Sequence, residues 1–200
     1  MIKIAIFASG SGSNAENIAK YFSNKQEVEI TTIISDKADA FVHQRAKHLG
    51  IESITFSKKQ FTETGEVTNF LSERQIDFVV LAGFLLKVPD NLIENYPNRI
   101  INIHPALLPK FGGKGMYGDH VHEAVVAAKE KESGITIHYI NENYDEGNVI
   151  FQATCDVGLA DTAHEVAQKV HALEYKYFPI IIEKVISALP DSVSLGKVKG

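Results

Sequence analysis

Asn102 and His104 stand one residue apart at the end of an apolar run, Arg99 to Ile103. Side chains two apart in a strand share a face, so an amide donor and a titratable ring point the same way. Ligands of open α/β sheets bind at the carboxyl ends of strands. A neutral donor beside a titratable one there suits stabilisation of an oxyanion on a tetrahedral carbon. For a histidine alone, a ring bonded to nearby backbone is the plainer reading; the Asn partner and a later acid reverse it. Pro105 and Pro109 stiffen the loop that follows. The later acid is Asp145, in Tyr144-Asp145-Glu146-Gly147. Taken singly, it reads as a turn residue before a glycine.

A second segment with chemical potential is Gly10-Ser11-Gly12-Ser13-Asn14-Ala15. Glycines let backbone N–H groups approach an anion at a helix N-terminus, where orphan donors and the helix dipole favour negative charge. Ser13 and Asn14 add side-chain donors. Three readings stay open. The segment fits the dinucleotide pattern G-x-G-x-x-A, with Asp36 as the ribose-binding acid. It also suits a terminal monophosphate, and it could be only a capped tight turn.

The elements that must position these residues alternate. Strands are expected over Ile2 to Ala8, Glu29 to Ile34, Ser53 to Phe56, Asp77 to Ala82 and Arg99 to Ile103. Helical spacing is read at Ala15 to Phe22, Ala40 to Leu49, about Lys59 to Glu73, and Asp90 to Asn95. Near-continuous apolar strands between helices imply a mostly parallel sheet covered on both faces. The second half changes character. A helix over His120 to Lys129 precedes two strands, Gly134 to Ile140 and Asn148 to Val157, joined by the polar loop Asn141 to Gly147. Thr162 and Glu165 form a capping box for a long helix, which Pro179 is expected to kink or end. The domain is expected over residues 1–188, with a C-terminal tail over 189–200.

With 200 residues and a net charge of -5 of mixed sign, the chain suits one α/β domain without a basic nucleic-acid surface or polybasic anchor. An anionic substrate would need a local electropositive site. One cysteine, Cys155, excludes an intrachain disulfide and is read as a small core residue. No zinc-type spacing is found. The chain lacks a signal-peptide pattern and any run near the roughly 18 apolar residues of a membrane helix. A cytoplasmic location is expected.

Asn102-Ile103-His104-Pro105-Ala106-Leu107-Leu108-Pro109 resembles the signature of the folate-dependent formyltransferases. The Gly-Ser-Gly-Ser-Asn loop is similar to the phosphate loop of the family's phosphoribosylglycinamide branch, and Asp145 matches the family's acid. Similar blocks occur at Ser35 to Ala40 and Leu81 to Phe84, so the likeness runs in order from the first strand to about Pro179. It implies a single Rossmann-like domain whose mostly parallel sheet carries an antiparallel C-terminal strand pair, with helices on both faces. It also implies metal-free acyl transfer from 10-formyltetrahydrofolate, as co-substrate, to the amine of 5′-phosphoribosylglycinamide, in purine (IMP) biosynthesis.

In that scheme Asn102 donates to the developing oxyanion, His104 stabilises the same oxygen as imidazolium, and Asp145 holds His104 in its charged form. Either Asp145 or a bound water carries the proton. Gly12, Ser13 and Asn14 would hold the ribose phosphate, and Glu174 would contact the ribosyl substrate. The pterin would lie against Leu85, Leu86, Lys87 and Val88 and the loop residues Asn141, Glu142, Asn143 and Tyr144. Thr136 and His138, alternating on one strand face, would support the site. His43, His48, His164 and His171 read as ordinary helix residues, with His171 near the substrate side. The i, i+2 spacing of His120 and His122 argues against a metal pair.

The implied partners are small molecules, with no nucleic acid or membrane, and the chain would act as a monomer or weak homodimer. Two departures from the pattern stand out. Leu86-Lys87 replaces an arginine before an apolar residue, and Phe111 to Gly118 is longer than in simpler members, as a flap or a surface loop. A tRNA-directed relative would carry a further domain and a basic surface. A deformylase would lack the Gly-Ser-Asn loop. A nucleotide-binding oxidoreductase would leave Asn102, His104 and Asp145 without a joint role.

Overall fold

The computed structural model describes residues 1–189. The expected tail therefore lies, from residue 190 on, outside the described residues. Seven strands form one sheet: β1 (Ile2–Phe7), β2 (Val28–Ser35), β3 (Glu52–Thr55), β4 (Phe78–Leu81), β5 (Ile100–His104), β6 (Glu132–Tyr139) and β7 (Val149–Asp156), in the order β3-β2-β1-β4-β5-β6-β7. The first five are mutually parallel, whereas β6 runs antiparallel to both β5 and β7. The mostly parallel sheet with an antiparallel C-terminal pair is thus observed. Strand order reverses between β1 and β4, which opens a crevice at their carboxyl ends.

Alternation within the buried strands divides the core in two. Ile4, Ile6, Val80, Ile101 and Ile137 face α1 (Ser13–Phe22), α2 (Val42–Leu49), α6 (Asp119–Ala127) and α7 (Ala163–Ser187). Ala5, Phe7, Val79, Leu81 and Ile100 face α3 (Lys58–Thr62), α4 (Glu66–Glu73) and α5 (Asp90–Asn95). Cys155 on β7 is half-buried against the first of these cores, and burial pushes its thiol upward.

Two helical expectations change. The single helix expected from Lys59 to Glu73 is two: the first ends at its C-cap Glu63, and Gly65, at a left-handed φ of 69°, caps the start of the second. Of the two outcomes expected at Pro179, a kink or an end, the end does not occur: α7 runs over 25 residues, Ala163–Ser187, with Pro179 inside it. Pro179 lies inside the hydrophobic core with Phe178 and Ile182 around it in sequence, so burial of that face outweighs the lost backbone bond.

Candidate active site

The crevice is a cavity of about 450 Å³ at the carboxyl ends of β1, β4 and β5. One wall grows from β5. Asn102 and His104 share a face, as the period of two requires, and His104 is buried. Its Nε2–H donates to the Phe111 carbonyl at 2.7 Å, and its Nδ1 faces Asp145 Oδ2 at 3.7 Å. Asp145 stands at a left-handed φ of 56° in the β6–β7 loop. It accepts from the Gly113 N–H at 2.9 Å and reaches within 3.6 Å of His138 Nε2.

His138 is buried and donates from Nδ1 to the Tyr139 carbonyl at 2.9 Å. Burial pushes its pKa below the ordinary 6.5, against the opposing pull of that carbonyl and of Asp145. The neutral ring therefore presents a lone pair at Nε2, which accepts from Asn102 Nδ2 at 3.2 Å. That contact fixes which end of the Asn102 amide is the donor end. Thr136 acts differently. Its hydroxyl donates to the Ala106 carbonyl at 2.7 Å and accepts the Leu108 N–H at 3.0 Å, stapling the loop after β5 to β6.

The opposite wall combines the glycine loop with α7. Gly12 caps α1 in a left-handed conformation and offers no side chain, leaving the helix's first N–H groups open. A Cβ there would lie 2.2 Å from Val42 Cγ2, so only glycine fits. α2 holds the loop from behind: the Gly10 carbonyl accepts from the Val42 N–H at 3.1 Å, and Ser11 from Arg45 Nε at 2.9 Å. Asn14 Nδ2 donates to Glu174 Oε2 at 2.9 Å. Glu174 is buried, and burial pushes its carboxyl upward while Asn14 and His171 oppose that shift. Asn14 Oδ1 and the buried His122 Nδ1 have no partner. Burial holds His122 toward the neutral ring, and His171 adds to that effect.

The cavity thus brings together Asn102, His104, Asp145, Gly12, Ser13, Asn14 and Glu174, with Leu85 and Tyr144 at its edge. Leu86, Lys87, Val88, Asn141, Glu142, Asn143, Thr136 and His138 are not among its lining residues. Val88 is buried in the second core, and Lys87 is exposed. Asp36 also lies outside the lining. Sequence reading weighed His122 only as a metal partner of His120 and gave it no place in the site, yet it lines the cavity; Phe84 and the glycine-rich segment Gly113 to Gly118, noted for a family likeness and as a flap or surface loop, line it too. Among the described residues no cluster of three or more His, Cys, Asp or Glu is set to hold a metal. No helix among them is long and apolar enough to cross a membrane.

The chain belongs to the formyl transferase family, whose model matches residues 2–182. Phosphoribosylglycinamide formyltransferase of Bacillus subtilis is 32% identical over 191 residues, covering 93% of this chain and 95% of the relative. The crystal structure of phosphoribosylglycinamide formyltransferase from Bacillus halodurans is 37% identical, with a TM-score of 0.83 over 93% of this chain and 96% of that one. The chloroplastic phosphoribosylglycinamide formyltransferase of Arabidopsis thaliana is 38% identical over 186 residues, 90% of this chain. The chain spans 64% of that plant protein's length and 60% of its Vigna unguiculata counterpart's.

Proposed function

We propose that this chain transfers the formyl group of 10-formyltetrahydrofolate to the amine of 5′-phosphoribosylglycinamide, a step of purine (IMP) biosynthesis. The observation that carries the reading is the meeting of Asn102, His104 and Asp145 on one wall of a cavity whose other wall is the glycine loop and Glu174. The relatives' names agree with it.

The amine nitrogen attacks the formyl carbon, a new C–N bond forms, and the carbonyl electrons move onto oxygen. Asn102 meets that oxyanion with the second hydrogen of Nδ2, the first being held by His138. His104 adds its Nε2–H once the oxygen takes the place of the Phe111 carbonyl, with Asp145 opposite Nδ1 as counter-charge. Collapse of the tetrahedral centre breaks the bond to the folate nitrogen, which receives the proton lost by the amine. Asp145 or a water it holds carries that proton. No covalent bond to the protein and no metal enter the scheme.

Gly12, Ser13 and Asn14 hold the phosphate end, chiefly through α1's free N–H groups, and Glu174 takes the ribosyl hydroxyls or the amine. The pterin packs against Leu85 and Tyr144, the two members of the segments Leu85 to Val88 and Asn141 to Tyr144 that line the cavity. The domain 1–188, a cytoplasmic location, small-molecule partners only, and a monomeric or weakly dimeric state belong to the same proposal.

The test follows both products by mass with purified protein, phosphoribosylglycinamide and 10-formyltetrahydrofolate. A formylated ribonucleotide that requires both substrates supports the proposal. Folate deformylation without a formylated amine would make the chain a hydrolase. No turnover, with NAD(P) bound instead, would make the glycine loop a dinucleotide site.

A further inference from the structure

Pro179 has no N–H, so the carbonyl of Tyr175, four residues earlier in α7, loses its intrahelical partner, and the proline ring crowds it outward. That carbonyl is not left empty. Asn17 Nδ2, on α1, donates to it at 2.9 Å. Tyr175 adjoins Glu174 in sequence, and Asn17 lies one helical turn beyond Asn14. The Asn17 bond therefore sits directly beside the Asn14–Glu174 bond of 2.9 Å. We infer that Asn17 is a positioning residue: by seating on the carbonyl freed by Pro179, it fixes the register of α7 against the glycine-loop helix, and so the place of Glu174 in the substrate cavity.

The physical need is local. Glu174 is a buried carboxylate with one side-chain partner, and burial works against its charge. Core packing by Phe178 and Tyr177 seats this part of α7, but among the described residues no other side-chain hydrogen bond reaches its backbone at that height. The remaining polar contacts of the seam, from Tyr21 and Lys25 to Glu183, lie more than two turns further along α7. They set the spacing of the two helices but not the angle at which residue 174 meets Asn14. A side-chain donor on the exposed rim of the seam also needs no core rearrangement to be removed.

This inference rests on the proposed function for the identity of the substrate, so its test carries an arm that needs no turnover. Steady-state kinetics with both substrates and calorimetric binding of ribose 5-phosphate are measured for the wild-type chain and for Asn17→Ala, Asn17→Asp and Lys25→Ala. Asn17→Ala is expected to raise KM for the phosphoribosyl amine and Kd for ribose 5-phosphate about 3- to 10-fold, from the loss of one helix-positioning hydrogen bond. The folate KM and kcat should stay within about 2-fold. Asn17→Asp, which sets an acceptor against the same carbonyl, is expected to do more than Asn17→Ala. Lys25→Ala should lower Tm without moving KM.

In a Pro179→Ala background the Tyr175 carbonyl regains a backbone partner, and the effect of Asn17→Ala should shrink toward none. Unchanged KM and Kd in Asn17→Ala, equal falls in all kinetic constants, or the same Asn17 effect with and without Pro179 would overturn the inference while leaving formyl transfer standing. A wild-type chain that neither binds ribose 5-phosphate nor transfers formyl would overturn the functional proposal itself, and this inference with it.

Discussion

The two walls of the cavity are built to opposite standards of completion. On the β5–β6 wall, each nitrogen of His104 and His138 faces a partner, and Asp145 is tied to the Gly113 N–H. On the α1–α7 wall, Asn14 Oδ1 is buried without a partner and Glu174 carries its burial on one side-chain bond; His122 Nδ1, on the neighbouring α6, is likewise unpartnered. An unpaired buried polar group costs about 1–3 kcal/mol. The α1–α7 wall therefore keeps an acceptor free for a polar ligand, whereas the polar groups of the β5–β6 wall are bonded to one another and to backbone. Preorganised donors act on a transition state without reorganisation, and unsatisfied groups favour whatever completes them. Under the proposed reaction, the first wall would carry the chemistry and the second the recognition of the ribosyl substrate.

The largest expected effect breaks the first wall. Asn102→Ala should lower kcat by about 10²–10³, the size of losing one oxyanion donor, with little change in either KM. A comparable rise in KM at unchanged kcat would place Asn102 in binding instead.

Next is Gly147→Ala. A Cβ at this position would lie 1.7 Å from the Tyr139 carbonyl oxygen. The β6–β7 loop must shift, at roughly 1–3 kcal/mol, and Asp145 shifts with it. Denaturant unfolding and kcat should both fall, and an unaltered kcat would show that Asp145 does not depend on this close approach.

Glu174→Gln addresses the second wall, with an expected rise of about 10-fold in KM for the phosphoribosyl amine, one charge-assisted bond's worth. Its stability effect has the opposite sign. The folded carboxyl titrates above its ordinary 4.5, so the folded state binds more protons than the unfolded one in that interval. The stability from this group is full below 4.5 and is lost as pH rises through the folded value. Removing the charge should therefore leave Tm equal or higher at pH 7, while function declines. A clear fall in Tm would mean that the Asn14–Glu174 bond is a net stabiliser.

A last comparison, read in stability alone, sets the two buried histidines side by side. Both stay neutral when folded, below the ordinary 6.5. As pH falls through 6.5, the unfolded chain takes up protons that the folded chain refuses, and stability declines. Thermal melts should be flat above that pH and fall below it. At pH 7, His138→Leu strands the Asn102 amide hydrogen and the Tyr139 carbonyl, and should destabilise by about 1–3 kcal/mol. His122→Leu removes an unpaired nitrogen and should be neutral or stabilising. Equal losses in the two variants would show that the hydrogen bonds of His138 contribute nothing that the unpartnered His122 lacks.

Sequence reading reached the first wall more fully than the second. The period of two placed Asn102 and His104 together, and a strand's end placed them at the crevice. The parallel core was legible because buried strands read as unbroken apolar runs, as in Phe78–Leu81. Gly65 and Pro179 act on their helices in opposite ways. The left-handed turn at Gly65 interrupts a periodic pattern that otherwise continues, whereas Pro179 is carried through a helix whose buried face outweighs one lost bond. His122 and the Asn14–Glu174 pair depend on contacts across more than 40 residues of sequence. No local pattern encodes these, because the approach of α7 to α1 is fixed by the core between them.

The most direct test measures formyl transfer by the wild-type chain, Asn102→Ala and Glu174→Ala side by side, each with kcat and KM for both substrates. The account predicts transfer by the wild type, a collapse of kcat in Asn102→Ala at near-constant KM, and in Glu174→Ala a raised KM for the phosphoribosyl amine with the larger part of kcat retained. No formylated product from the wild type would contradict the assigned reaction. The same pattern of loss in both variants would contradict the division of labour between the two walls.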